Sequence, residues 1–468
     1  MSIEPIGIAA ILCGLFCLFL GNGATTIALA VAAVFGSAAA MFIGAANIQP
    51  GHVLLGFLVL GVITRENTSR AFVHALQFGE PGFWFALLVL YGVLSAYFAP
   101  RILSGITQIV PLGTTIFDDS RSTVPLVPVS SNLTQSVYMV GNLICLAMTV
   151  AVASSRRGFN SVLAGLLAYS IANTVFALLD IATYSTGTQS MLAFMRNAQY
   201  VLHTDDQIAG VKRIVGSFTE ASSYARSTLG VFAFTGTLWL CGRHPYLTGS
   251  LAAASLVLVV MSTSSTGLVG APVMGLILYG TAIAVGGRKS ARRFSTLIIV
   301  FVPTIAVAAG LLIAVDPAMS KLVYNYIDIV ALGKSTSNSA IERGAWNAVA
   351  IQNIFDTMGM GVGLGTARTS SFLLALLANV GVAGTIFYLL FAFGALIKKR
   401  GIPGSFTADA RLAACNGCFG LLVGDMLVSP VIDQGLFFCM LAGLASALPE
   451  RSKQNVRAAP RPIGVMAI

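Results

Sequence analysis

Residues 371–397, SFLLALLANVGVAGTIFYLLFAFGALI, pass 27 positions without a charged side chain and end on Lys398-Lys399-Arg400. At about 1.5 Å of rise per helical residue, such a run covers the ~30 Å hydrocarbon core of a bilayer. A helix on a soluble domain would carry a polar stripe, and this run has none. Comparable apolar runs recur at 6–21, 25–44, 52–64, 82–100, 133–154, 160–184, 228–241, 247–261, 267–285, 294–315, 412–428 and 432–448. The expected fold is therefore an all-α polytopic membrane protein, a single integral membrane domain over residues 1–468 with about 11 to 13 transmembrane helices. The run at 52–64 is too short for a full crossing unless its flanks extend it, so a re-entrant segment is the alternative there.

Composition agrees. Of 468 residues, 56% are hydrophobic and 9% charged, against about 25% charged in an ordinary soluble domain. The net charge of +10 sits in short clusters between apolar runs and not on one face, which argues against a nucleic-acid partner. The seven cysteines lie in or beside apolar runs, where a free thiol behaves as a small hydrophobe. Cys415 and Cys418 have CxxC spacing, but no second pair completes a zinc site, so neither metal nor cofactor is expected. The first apolar run lacks a basic flank and a cleavage site and reads as a retained segment.

Lys and Arg beside the ends of spans are held on the cytoplasmic side. Arg156-Arg157, Arg243, Arg288-Lys289 with Arg292-Arg293, Lys398-Lys399-Arg400, and Arg451, Lys453, Arg457 and Arg461 of the 449–468 tail all fall on one side of the alternation. The opposite side then receives loop 101–132, a first long loop at 185–227, the turn at 262–266, a second long loop at 316–370 and the turn around Pro430. Connections beyond about 15 residues are uncommon in compact folds unless they serve a function. These two long loops are the functional candidates.

In the first, Lys212-Arg213 precede Ser217-x-x-Glu220, which has the form of a capping box at a helix start. Two cations beside free helix N–H groups would hold a phosphate; alternatively Glu220 only caps and the cations anchor lipid head groups. Arg226 lies further along the same segment and is counted with Lys212 as a substrate-binding candidate. The second loop repeats the device: Ser339-x-x-Glu342, then Arg343, with Trp346 and Asn347 following at helical spacing. A guanidinium offers a bidentate fork to phosphate and an indole a platform for a sugar ring, although an interfacial helix with Trp346 at head-group depth would read the same way.

Gly359-Met360-Gly361-Val362-Gly363-Leu364-Gly365 looks like a nucleotide loop but follows no expected strand, and reads as a flexible backbone segment before the next span. His203 with Asp205 and Asp206 lacks a third metal ligand. Asp180 and Asp425, near the outer ends of their spans, should face a polar cavity or pair with a cation.

Between residues 210 and 395 the chain resembles the O-antigen ligase and polymerase superfamily. The resemblance rests on Arg213-x-x-Gly216-x-Phe218-x-Glu220, the Ser262–Gly267 boundary, Ser339-x-x-x-Arg343-x-x-Trp346, Gly361-x-Gly363 and Leu377-x-Asn379-x-Gly381-x-x-Gly384, in that order. It implies a metal-independent glycosyltransferase of GT-C-like architecture in the bacterial inner membrane, active at the periplasmic face on a polyprenyl-diphosphate-linked oligosaccharide. Membrane lipid, and a flippase and chain-length regulator of the same pathway, are the further partners it implies. Arg213 and Arg343 would stabilise the leaving diphosphate, with Glu220 as candidate base and Lys212, Arg226, Glu342, Trp346 and Asn347 contacting substrate. Ligase-type members often carry Arg at the Ser/Thr boundary and His after the glycines. Here those places read Ser265-Thr266-Gly267 and Thr369-Ser370-Ser371, which favours a polymerase of repeat units over a ligase acting on lipid A core. A transporter or flippase for such a glycan is the alternative from another class, and no internal repeat supports it.

Overall fold

The computed structural model describes residues 2–43, 46–117, 123–199, 201–208, 210–288, 291–327 and 338–450. In chain order the helices are α1 (Pro5–Leu20), α2 (Asn22–Ala32), α3 (Pro50–Ile63), α4 (Glu66–Ala75), α5 (Pro81–Ile102), α6 (Ser131–Ala153), α7 (Arg156–Thr186) and α8 (Ala221–Leu240). They continue with α9 (Pro245–Met261), α10 (Ser265–Val285), α11 (Arg292–Val315), α12 (Pro317–Ile327), α13 (Asn338–Asp356), α14 (Phe372–Ala392), α15 (Phe406–Val428) and α16 (Gly435–Ser446). Short antiparallel strands tie down the connections: β1 (Ser2–Ile3), β2 (Met41–Ile43) and β3 (Ala46–Ile48) form one sheet, β4 (Gln108–Ile109) pairs with β5 (Val124–Pro125), and β6 (Gln207–Ile208) pairs with β7 (Val211–Lys212).

The chain is a mostly helical, multi-pass membrane protein. Among the described residues 7 helices are long and apolar enough to cross a bilayer: α5, α6, α7, α10, α11, α14 with its π-helical extension to Ile397, and α15. Shorter apolar helices occupy the places of the other expected spans, except that the run at 228–241 belongs to α8, which hydropathy alone undervalues. Sixteen of its 20 residues are buried, including Ser227, Thr228, Thr235 and Thr237. A helix enclosed on all sides by other helices can carry hydroxyls that return their protons to carbonyls one turn back, as Thr235 does to Val231 (2.7 Å) and Thr237 to Ala233 (2.7 Å).

Three boundaries differ from expectation for identifiable reasons. The run at 25–44 is helical only to Ala32, because the following turn is clamped to the 213–218 segment: Ser37 N–H donates to the Ser217 carbonyl (3.0 Å), and a Cβ on Gly36 would lie 2.9 Å from the Phe218 ring. Helices α8 and α15 both begin earlier than their apolar runs, because the charges near their starts are paired inside the bundle: Arg226 of α8 with Asp425, and Asp409 and Arg411 of α15 at the opposite, basic end. Asp409, 1% exposed, accepts from Arg243 Nη2 (2.8 Å) and Arg288 Nη1 (2.9 Å), and Arg411 meets Glu450 at 2.5 Å. These pairs tie together one end of the bundle, the basic end.

The other end gathers the long connections. Asn47 Oδ1 accepts from Gln199 N–H (3.1 Å), Thr107 Oγ1 donates to Asp356 (2.6 Å), Leu112 N–H donates to the Thr366 carbonyl (3.1 Å), and Thr369 Oγ1 reaches the Ser429 carbonyl (3.5 Å). At this loop end the glycine run is fixed, contrary to the flexible reading. Gly359, Gly361, Gly363 and Gly365 all have φ between 77° and 104°, and the run lies in a break of α14 at Gly381 (φ 63°, ψ −167°). Val362 and Gly363 donate to the carbonyls of Ala378 (2.8 Å) and Asn379 (2.9 Å), and Val382 donates back to Gly359 (2.8 Å). Asn379 supports the break from within, its Oδ1 accepting from Thr366 N–H (3.0 Å) and Ala367 N–H (2.9 Å).

A Cβ on Gly381 would stand 2.3 Å from the Gly359 carbonyl oxygen. Gly381→Ala should therefore destabilise by more than the ~1–3 kcal/mol that the backbone conformation alone costs, lowering the thermal unfolding temperature in detergent. Gly275→Ala, with nothing within 4 Å of the added atom, should leave that temperature unchanged or raise it slightly.

Candidate functional site

A cation in a membrane protein is either neutralised by a buried partner or available to something else. Sorting the loop-end cations this way divides them cleanly. Asp180, on α7 and 0% exposed, is the anion of the first long connection: Arg196 Nη2 (2.7 Å) and Lys212 Nζ (2.8 Å) donate to its Oδ1, and the N–H groups of Val215 (2.9 Å) and Gly216 (3.0 Å) to its Oδ2. The phosphate-like nest expected beside Lys212 is thus already filled by a carboxylate of the same chain. Arg226 is likewise committed. Its Nε and Nη2 form a bidentate pair with Asp425, 1% exposed, and Nη2 also donates to the Gln434 carbonyl (3.0 Å).

Arg213 turns the other way. Among the described residues its guanidinium, 19% exposed, has only the long contact to Asp206 (3.7 Å), and its Nε is buried without a hydrogen-bond partner. Burial holds its pKa below the usual arginine value, aided by the positive charge of Arg343, while Asp206 and Glu220 oppose the shift. The two expected anion sites are neighbours: Arg213 from the first long connection and Arg343 from α13 sit within electrostatic reach of each other. Among the described residues the Arg343 guanidinium makes no hydrogen bond or ion pair.

A third arginine, not singled out from the sequence, packs on α13 one turn along from Arg343. Arg368, directly after the glycine run, places its guanidinium over the Trp346 ring at 5.2 Å. Its pKa is also lowered, chiefly by burial, with Glu342 opposing. Its backbone N–H donates to the Val110 carbonyl (2.8 Å), and the next residue but one, Ser370, donates from its N–H to Asn347 Oδ1 (2.9 Å). Asn347 thus positions the segment that carries Arg368, while Trp346 packs on the arginine itself. The sequence signal that could have found Arg368 is its place between the glycine run and the next span, the one cation in 357–397.

The local helix starts differ from the capping boxes read in sequence. Ser217 donates to the Val34 carbonyl (2.7 Å), so α8 begins at Ala221 with Glu220 as N-cap residue and without a side-chain cap. Glu220 instead accepts from the Ser222 hydroxyl, beside Arg213. Ser339's side chain falls outside the described residues, and α13 is already helical at Asn338. In the 262–266 turn, Ser262 and Thr263 spend their hydroxyls on the carbonyls of Val259 (2.6 Å) and Ser262 (2.9 Å). His203 pairs with Asp206 (3.4 Å), and no three His, Cys, Asp or Glu side chains gather as a metal site among the described residues.

Chemically, guanidiniums with unspent N–H donors and an indole alongside are suited to holding an anion attached to a ring-bearing group. No family model and no curated protein matches this sequence.

The sorting of cations is testable at its structural pole. Asp425→Ala leaves Arg226 buried and unpaired, and should cost about 3–5 kcal/mol, read as loss of folded protein in detergent. The double variant Arg226→Met/Asp425→Leu should recover most of that loss.

Proposed function

We propose that this chain is a bacterial membrane glycosyltransferase that polymerises polyprenyl-diphosphate-linked oligosaccharide repeat units into a capsule, exopolysaccharide or O-antigen. In this reading all of the apolar helices from α1 to α16 cross or enter the inner membrane, with a GT-C-like arrangement. The basic end is then cytoplasmic and the loop end periplasmic, the orientation that the cation clusters favour.

The single observation that supports it is that Arg213 and Arg343 lie within electrostatic reach of each other with donor capacity left over, while Arg368 packs on Trp346 one turn along α13 from Arg343, at the end of an apolar bundle where a lipid-linked diphosphate would lie. Charge grows on the leaving diphosphate as the glycosidic bond to it breaks. A guanidinium already seated on an aromatic ring, as Arg368 is on Trp346, stabilises that charge with little reorganisation. An acceptor sugar hydroxyl attacks the anomeric carbon, and its proton passes to a base. Glu220, beside Arg213 but hydrogen-bonded to Ser222, is one candidate for that role.

Arg343→Ala and Arg368→Ala should each reduce polymer formation by about 100-fold or more, with folded protein in normal amount and lipid-linked single repeat units accumulating. Polymer of normal length in both variants would sink the proposal. Complete polymer that stays unattached to lipid A core would point to a ligase, and repeat units retained on the cytoplasmic leaflet to a flippase.

A further inference from the structure

The first three helices enclose an apolar groove of about 570 Å³, within the size range of ligand sites. Ala9 and Cys13, one turn apart on α1, form one wall, and Ala28 and Val31 of α2 the other. Leu54 of α3, 3% exposed, lies at the floor. Small side chains leave the space open: at Ala9, Ala10, Ala28 and Ala32 the wall ends at a methyl group.

None of the lining side chains carries an oxygen or nitrogen. A water needs two to four polar partners and finds none among them, while an empty space forfeits the dispersion contacts of its walls. On the outer face of α1 the large apolar side chains of Ile8, Leu12 and Phe16 stand exposed, so lipid hydrocarbon adjoins the groove. Its occupant is therefore a hydrocarbon chain. Because lipid tails are as apolar as these walls, such a chain gains packing here rather than hydrophobic burial, and the groove aligns a chain more than it attracts one.

The groove belongs to the loop-end half of the bundle. Helix α1 starts there, where Asn197 Nδ2 donates to Glu4 (3.3 Å), and the groove follows it from Pro5 to Cys13. That is about 12 Å of helical rise, less than half of the ~30 Å hydrocarbon core. Phe35 and Phe194 bound the outer end, their rings meeting edge to face (centroids 6.4 Å apart). Both adjoin the segment that begins with Arg213. Ser37, two residues past Phe35, bonds through its hydroxyl to the carbonyls of Met195 (2.9 Å) and Ser217 (3.0 Å), and Arg196, two past Phe194, donates to the Gly216 carbonyl (2.9 Å). Residues 213–218 thus run past the mouth of the groove.

We propose that this groove seats the polyprenyl chain of the lipid-linked diphosphate, an inference that rests on the glycosyltransferase reading. Any lipid could lend a hydrocarbon chain. What selects a polyprenyl diphosphate is the head group at the mouth, since two phosphates offer the unspent donors of Arg213 more acceptor oxygens than the single phosphate of a phospholipid. The part of the chain nearest the diphosphate lies along α1 and α2, and the remainder passes into the bilayer.

The test uses the full chain in phosphatidylcholine nanodiscs that carry decaprenyl diphosphate as a minor component. The photoreactive residue p-benzoylphenylalanine replaces either Cys13, in the groove, or Leu12, on the outer face of α1. Mass spectrometry of the adducts should show decaprenyl diphosphate enriched at least about tenfold over its share of the bilayer at position 13, and no enrichment at position 12. Ala9→Trp, which fills the groove from its rim, should abolish the enrichment at position 13. Adducts at position 13 in the same proportions as at position 12 overturn the inference. Turnover of lipid-linked repeat units separates the two readings: protein that consumes them without enrichment at position 13 loses the groove assignment alone, and protein that neither consumes them nor binds decaprenyl diphosphate loses the glycosyltransferase reading as well.

Discussion

An unpaired charge inside a bilayer costs several kcal/mol, and the interior of this protein is arranged around that cost. Asp409 holds Arg243 and Arg288 at the basic end, Asp180 holds Arg196 and Lys212 at the loop end, and Asp425 holds Arg226 between helices that carry few other charges. Each carboxylate is almost wholly buried, so each pair acts as a fastener between segments far apart in sequence. Such pairs add little net stability over a hydrophobic substitute, but they fix which helix meets which. Once these pairs are made, the loop-end arginines left over stand out, and the candidate site is found by subtraction.

That subtraction explains how much of the site could be read from sequence. Arg213, Arg343 and Trp346 could be singled out, because cations and an aromatic beside helix starts in long connections are uncommon. Lys212 and Arg226 looked the same in sequence and have a different fate, since nothing local says that Asp180, 32 positions away, or Asp425, 199 positions away, will take them. Arg368 was passed over because its meaning depends on Trp346, brought to it only by the tertiary fold.

The fold was legible where it depends on hydropathy and less so where it depends on partners. Charge-free runs such as 371–397 show a helical membrane chain, and the helices lie where those runs lie. Helix α8 begins 7 residues before the run at 228–241, because a helix surrounded by protein need not be apolar to lipid. The glycine run was misread as loose because its partner, the break at Gly381, is a feature of the next helix. Ser217 failed to cap α8 because Val34, at the far end of the chain, offered its hydroxyl a carbonyl first.

The Arg226–Asp425 pair also has a history in time. Ribosomes emit about 5–20 residues per second, so the 199 positions between the partners correspond to roughly 10–40 s during which α8 carries a naked guanidinium. On insertion scales an arginine near a helix centre is penalised by only about 2.5–3.5 kcal/mol, small enough for α8 to wait beside the translocon but too large for it to disperse into lipid. The last third of the chain therefore completes the protein in a literal sense: until α15 arrives, a largely enclosed helix of the bundle has no settled place, and truncation before residue 425 would leave a substrate for membrane quality control.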